Sequence, residues 1–259
     1  NRFESIAKGL KTLNYDVYAF HSYNGYFWNR TFMYKRLGFD EFYDLGKLKQ
    51  DDLVGLGLSD KSLLVQSVEK MGVANKPFYS FIITLSSHSP FETNTAFCST
   101  NTTLERYINS INYLDYSLGI FYEKLKKEGL LENSILVLYG DHNAIDKSSR
   151  DELSRFVNED LDKEYVWQRY QKVPLIIRFP NGEKKGDYSK TVGQIDIFPT
   201  IANLYGFTGT KYLGTDIFSS GNNIVVLRDG SFIYGNLYYD KKSGLACDIN
   251  SGLPLNNYE

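Results

Sequence analysis

The chain carries only three histidines, and each closes an apolar run that reads as a β-strand. Asp16-Val17-Tyr18-Ala19-Phe20 leads into His21. Phe78 to Leu85 stops two serines before His88, and Ser134 to Gly140 runs into Asp141-His142. Histidine is the side chain best suited to metal ligation and to proton transfer near neutral pH. In an open α/β sheet, ligands bind beyond the carboxyl ends of the strands. The placement predicts one polar site at the C-terminal edge of a sheet.

Each of these segments offers its own chemistry. Asp141 and His142 present a carboxylate and an imidazole from adjacent residues, a pair that suits a divalent ion such as Mn²⁺ or Zn²⁺. An Asp capping the next loop with a His packed behind it fits the same triplet. His88 sits in the polar turn Ser86-Ser87-His88-Ser89-Pro90-Phe91, placed to donate to an oxyanion or shuttle a proton, or simply to face solvent. In His21-Ser22-Tyr23-Asn24-Gly25-Tyr26-Phe27-Trp28-Asn29-Arg30 an arginine and several aromatics follow a histidine closely. Arg30 could fork onto a phosphate while Trp28 stacks on an organic group; a helix start with buried aromatics is the plainer reading.

The elements that must position these groups alternate between helix and strand. Ser5 to Leu13 reads as a short amphipathic helix feeding the strand before His21. Phe27 to Leu37 reads as a helix ending at Gly38, and Lys61 to Met71 as another closed by Gly72. Pro77 introduces the long strand toward His88. Thr102 to Glu128 is the clearest helix, with Leu104, Ile108, Ile111, Leu114, Leu118, Phe121 and Leu125 repeating at helical spacing and lysines near its end. Ser148 to Tyr170 reads as helical and charged, Val173 to Phe179 as a strand, and Asp196 as the cap of a helix through Leu204. Beyond Gly221 the texture changes. Short apolar runs at Asn223 to Leu227, Phe232 to Tyr234 and Leu237 to Tyr239 are split by Gly-containing turns. The expected fold is α/β: a mainly parallel sheet flanked by helices over residues 1–220, with a small antiparallel subdomain over 221–259.

Composition narrows the class. The 259 residues hold 42% hydrophobic and 23% charged side chains, enough to bury a sizeable core. A net charge of −2 leaves no overall field that would attract nucleic acid. Two cysteines, Cys98 and Cys247, make no disulfide scaffold, and whether they pair stays open. No apolar run is long enough to span a bilayer. The opening Asn1-Arg2-Phe3-Glu4 has no signal-peptide character, and a start in mid-helix without Met reads as a piece of something longer.

Taken together, these segments resemble the extracellular catalytic domain of lipoteichoic acid synthases, a phosphoglycerol transferase branch of the sulfatase/alkaline-phosphatase superfamily. The matching stretches are His21 with Phe27-Trp28-Asn29-Arg30, then Tyr34 to Tyr43, Pro77 to Phe91, Tyr139 to His142, Val173 to Pro180, Gly193 to Thr200 and Gly214 to Phe218. The resemblance implies a Mn²⁺-dependent enzyme, with Mg²⁺ or Zn²⁺ as alternative ions. Such an enzyme moves glycerol phosphate from phosphatidylglycerol to a polyglycerolphosphate acceptor through a threonine intermediate. It implies Asp141 and His142 as metal ligands and His21, Trp28, Arg30 and His88 as the lining of a glycerol phosphate pocket. His88 would protonate a leaving oxygen. It also implies a parent anchored by upstream transmembrane helices, with this domain on the outer face of the membrane.

Two departures accompany the resemblance. Tyr23 stands where the family pattern has an acidic residue, and the family's nucleophilic threonine and a glutamate ligand map upstream of Asn1. The chain alone is therefore expected to show no turnover and to bind metal weakly. Two other readings stay open: a sulfatase or phosphomonoesterase-type hydrolase, and a non-catalytic glycerol phosphate-binding module.

Overall fold

In a computed structural model the chain is described over residues 4–93, 97–207 and 211–255. The polar start at Asn1-Arg2-Phe3 lies outside the described residues. The chain forms two compact units, one of Asn1–Leu136 with Ile177–Lys184 and one of Val137–Ile176 with Lys185–Glu259.

The first unit is organised by a parallel sheet. Helix α1 (Ile6–Thr12), capped by the Ser5 hydroxyl, leads into β1 (Asp16–His21). A 3₁₀ turn over Phe27–Asn29 precedes α2 (Arg30–Leu37), which ends at a left-handed Gly38. Then come β2 (Glu41–Tyr43) and a two-stranded hairpin of β3 (Leu53–Val54) and β4 (Gly57–Leu58). Next are α3 (Asp60–Met71), β5 (Phe78–Ile83) and the long α4 (Thr103–Lys127). The sheet order is β2-β1-β5, every pair parallel, and β1 aligns Asp16 with Phe78 and His21 with Ile83.

Side chains alternate across a strand, so the two faces of this sheet are legible residue by residue. Ala19, Phe42, Phe81 and Ile83 pack with Tyr34 and Leu37 of α2. Phe20 and Ile82 face the other way, onto Leu63 of α3. On that side Leu64, Val68 and Met71 of α3 meet Phe121 and Leu125 of α4. The start of α4 is fixed by a capping box. The Thr102 hydroxyl accepts the Glu105 N–H at 3.2 Å, and the Glu105 carboxylate accepts the Thr102 N–H at 3.0 Å.

A separate two-stranded pair, β6 (Leu136–Tyr139) with β7 (Leu175–Arg178), is joined through α5 (Arg150–Val157) and α6 (Glu164–Tyr170). After α7 (Ile197–Tyr205) comes a four-stranded antiparallel sheet of β8 (Ile224–Val226), β9 (Phe232–Tyr234), β10 (Leu237–Asp240) and β11 (Leu245–Asp248), in the order β11-β10-β9-β8. Ile233, Tyr238 and Ile249 form its core with Tyr165 of α6. The antiparallel strands begin at Ile224, and compactness divides the chain elsewhere.

Several elements differ from the sequence reading. The helix expected over Phe27 to Leu37 is interrupted because Trp28 and Asn29 adopt left-handed φ values of 54° and 58°. The one expected over Ser148 to Tyr170 splits in two, because Asn158 terminates α5 at φ 55°, a conformation asparagine tolerates. Asp196 does not cap α7 by its side chain: its carboxylate instead accepts the N–H groups of Gly193 and Thr215. Strand β11 was hidden in a run too short and mixed to read. Cys98 and Cys247 are both free thiols, and no helix among the described residues is long and apolar enough to cross a membrane.

Phe121→Ala, which opens a cavity between α3 and α4, is expected to cost about 3–5 kcal/mol in urea unfolding. Thr102→Ala, which removes one half of the capping box, should cost about 1 kcal/mol.

Candidate active site

The site begins with strand parity. His21 lies on the same face of β1 as Ala19, the face that α2 covers. In α2, Arg30, Tyr34 and Leu37 recur at helical spacing and form the inward stripe. The first residue of that stripe therefore meets the last residue of β1: Arg30 Nη1 lies 2.8 Å from His21 Nε2. Arginine has only donors, so Nε2 must accept and the ring proton must sit on Nδ1. Nδ1 faces the Ile83 carbonyl at 3.2 Å, the partner that this tautomer requires.

His21 is 1% exposed. Burial, and secondarily the neighbouring Arg30 cation, lowers its pKa to about 4. The imidazole is thus neutral, and the positive charge of the pair stays on the guanidinium. That guanidinium also lies 5.3 Å from the centre of the Trp28 ring, a cation–π arrangement. Trp28 stacks on Phe27 at 5.5 Å, and Phe27 meets Tyr23 edge-on at 5.3 Å.

The turn that displays these groups is tightly constrained. The Gly25 N–H donates to Asp44 Oδ2 at 2.9 Å, and its carbonyl accepts from the Thr31 backbone and hydroxyl. A Cβ at Gly25 would lie 2.6 Å from that Asp44 oxygen, so any larger residue would displace the carboxylate from this hydrogen bond. Sequence reasoning did not find Asp44. It is nonetheless the carboxylate whose charge acts on His21, on a chain where Tyr23 stands in the position of the expected acid. At the end of β1, Leu58 N–H reaches the Ser22 carbonyl at 3.1 Å. Gly57 permits this approach; a Cβ there would sit 2.3 Å from the same oxygen.

His88 follows β5 in the same unit as His21. Its Nδ1 is 2.7 Å from the Ser89 carbonyl, and its N–H bonds the Leu85 carbonyl. The turn is held from below by Asp60, a second residue the sequence reading missed. Asp60 Oδ1 accepts the N–H groups of Leu85 and Ser86 at 2.8 and 2.9 Å, and the Ser86 hydroxyl accepts the Asp60 N–H at 3.1 Å. Burial raises the Asp60 pKa, and the bonds from Ser86 and Leu85 oppose that shift. No local pattern links residue 60 to residue 86; only the fold does.

Asp141 and His142 are carried by the second unit, both exposed, with His142 Nε2 3.8 Å from Asp141 Oδ2. His142 Nδ1 lies 2.7 Å from the Asn143 carbonyl. A proton on Nδ1 makes that contact a hydrogen bond and directs the Nε2 lone pair outward, the arrangement that second-shell carbonyls impose on metal-binding histidines. The donor set of one oxygen and one nitrogen suits Mn²⁺ or Zn²⁺. Among the described residues no cluster of three or more His, Cys, Asp or Glu side chains could hold an ion, so this pair alone would not complete a coordination shell. Gln194 braces this loop, its amide donating to the Gly140 and Asp141 carbonyls at 3.2 Å each.

A family model described as Sulfatase matches residues 1–207. The chain is 34% identical over 236 residues to lipoteichoic acid synthase 1 of Bacillus subtilis (84% of this chain, 36% of that protein). It is 35% identical over 245 residues to the lipoteichoic acid synthase of Staphylococcus aureus strain USA300 (85% and 36%). The crystal structure of the lipoteichoic acid synthase LtaP from Listeria monocytogenes superposes with a TM-score of 0.86 at 28% identity, covering 98% of this chain and 67% of that one. A Vibrio parahaemolyticus protein in the alkaline phosphatase superfamily shares the fold at TM-score 0.69 and 20% identity. The chain spans well under half the length of the curated relatives it matches.

The neutral His21 makes a pH prediction. Its folded pKa of about 4 lies below the 6.5 of an ordinary histidine. Between those values the unfolded chain binds a proton that the native chain refuses. The stability this site contributes is complete above pH 6.5 and falls as pH drops toward 4, by on the order of 3 kcal/mol. An NMR titration of the imidazole should show the low midpoint. Arg30→Gln should raise it only part of the way, since burial is the larger cause.

Proposed function

Because the chain belongs to the sulfatase family, we propose that it forms part of a metal-dependent phosphoglycerol transferase. That enzyme would move glycerol phosphate from phosphatidylglycerol onto a polyglycerolphosphate chain. The observation that carries the reading is the fixed cation of Arg30, held between a neutral imidazole and an indole face. It is supported by the similarity to lipoteichoic acid synthases, which runs through most of the chain.

In this reading each residue has a task. Arg30 binds a phosphoryl oxygen and carries positive charge where the transition state gathers negative charge. His21 orients Arg30 without competing for the anion. Trp28 offers its ring to the glycerol carbons. His88 gives a proton to the oxygen that leaves as diacylglycerol. Asp141 and His142 hold a divalent ion, Mn²⁺ with Mg²⁺ or Zn²⁺ as alternatives, together with ligands from the segment preceding Asn1. The ion, when bound, lowers the nucleophile's pKa and offsets phosphoryl charge. The nucleophile is a threonine of that same upstream segment. The parent protein is anchored by upstream transmembrane helices and holds this domain on the outer face of the membrane.

The test is diacylglycerol release from phosphatidylglycerol by the parent protein with and without Mn²⁺. Metal-dependent release is expected, with kcat/KM reduced about 10²–10³-fold by Arg30→Ala and about 10²–10⁴-fold by His88→Ala. The 259-residue chain alone should release none. Cleavage of a sulfate ester or phosphomonoester in place of transfer would move the protein to the hydrolase branch, and inactivity on every substrate would favour a binding module.

A further inference from the structure

Beside the Arg30 turn lies a surface that shares only Trp28 with the proposed chemistry. Tyr26 and Trp28 are 76% and 77% exposed, Phe32 is 59% exposed, and Phe27 and Met33 are also exposed. Single apolar side chains on a surface are ordinary, but a run of large ones within two turns of chain marks an interaction site. The display is built into the backbone. Trp28 and Asn29 occupy left-handed conformations that cost energy for residues with side chains.

Helix α2 continues the same surface. Tyr34 is buried and Arg30 and Leu37 share its stripe, so Phe32 projects from the opposite side, flanked by exposed Lys35 and Arg36. From Val17 to Phe39 the sequence contains Arg30, Lys35 and Arg36 and no acidic residue, although the whole chain has a net charge of −2. The face therefore combines aromatic rings, two of them with polar tips, with a local excess of cations. That composition matches the boundary between headgroups and acyl chains of an anionic bilayer.

We propose that Tyr26, Trp28, Phe32 and Met33, with Lys35 and Arg36 at their edge, form a docking surface for an anionic lipid membrane. The choice of phosphatidylglycerol as the lipid rests on the proposed function; the surface itself does not. Docking here seats the Arg30 turn at headgroup depth, where a lipid phosphodiester is presented without leaving the bilayer.

Tryptophan fluorescence provides the test, since Trp28 is exposed and the chain's other tryptophan, Trp167, is 4% exposed. The 259-residue chain and its parent are titrated with phosphatidylcholine vesicles, with and without phosphatidylglycerol, and with brominated lipid as quencher. A blue shift and quenching on the anionic vesicles are expected, persisting in Trp167→Phe. Phe32→Ser with Met33→Ser should weaken vesicle binding about tenfold or more. Lys35→Gln and Arg36→Gln should each weaken it about fivefold.

In the parent protein these three variants should retain turnover on monomeric short-chain phosphatidylglycerol. A transferase that fails that assay while its vesicle binding stands would count against the chemistry and not against the surface. The proposal is overturned by the absence of any shift, or by equal binding to neutral vesicles. It is also overturned if Trp28 emission in the parent is already blue and deaf to lipid, which would mean that the chain or a second copy covers the face.

Discussion

His21 is buried at the end of a strand, and an arginine stands against the only lone pair it has. This single contact decides the character of the first unit's site. A protonated imidazole would present two donors and repel Arg30; the neutral form, with Nδ1 committed to the Ile83 carbonyl, accepts from it. The consequence is one cation in one place, with its direction set by groups that do not titrate near neutrality. An anion arriving there meets a charge that needs no reorganisation, which is what electrostatic catalysis asks of a site. The parity of β1, the inward stripe of α2 and the Gly25–Asp44 turn all serve to bring that pair together.

Much of this was legible in the sequence because it rests on short-range rules. Alternation and apolar runs located β1, β5 and β6, and helical spacing located α3 and α4 almost to their caps. The placement of His21, His88 and His142 at or just past strand ends followed from the same runs. What failed did so where a local signal had more than one outcome. An aromatic stretch with good helical spacing can still break, and it does so at Trp28 and Asn29, where the backbone turns left-handed. Asp196 looks like a helix cap, and Asp60 carries no local signal of its role. Asp196 bonds Gly193 and Thr215, while Asp60 bonds Leu85 and Ser86. Such long-range hydrogen bonds leave no periodic trace.

The second unit shows how one short motif can carry several structural tasks. Gly193 to Thr200 reads as a helix start. Its residues in fact hold three separate things: Gln194 secures the carbonyls on either side of the Gly140–Asp141 bond, Asp196 gathers the Thr215 loop, and the Thr200 hydroxyl accepts the Ile217 N–H at 2.9 Å. The loop bearing Asp141 and His142 is thus exposed in its side chains but fixed in its backbone. In the proposed metal-binding role the pair would profit from that combination, because ligands held in place need not be ordered when an ion arrives.

The Asp60 clip has a consequence for motion. The carboxylate at the start of α3 and the backbone after β5 share two hydrogen bonds in a buried setting, with the Ser86 hydroxyl closing the loop back to residue 60. Breaking one of these strands the others away from water, which is costly. The first turn of α3 and the segment carrying His88 therefore open as one cooperative unit rather than separately. Amide protons at residues 60, 85 and 86 should exchange with solvent on a common clock, and anything that steadies His88 would slow that clock at the far end of the clip.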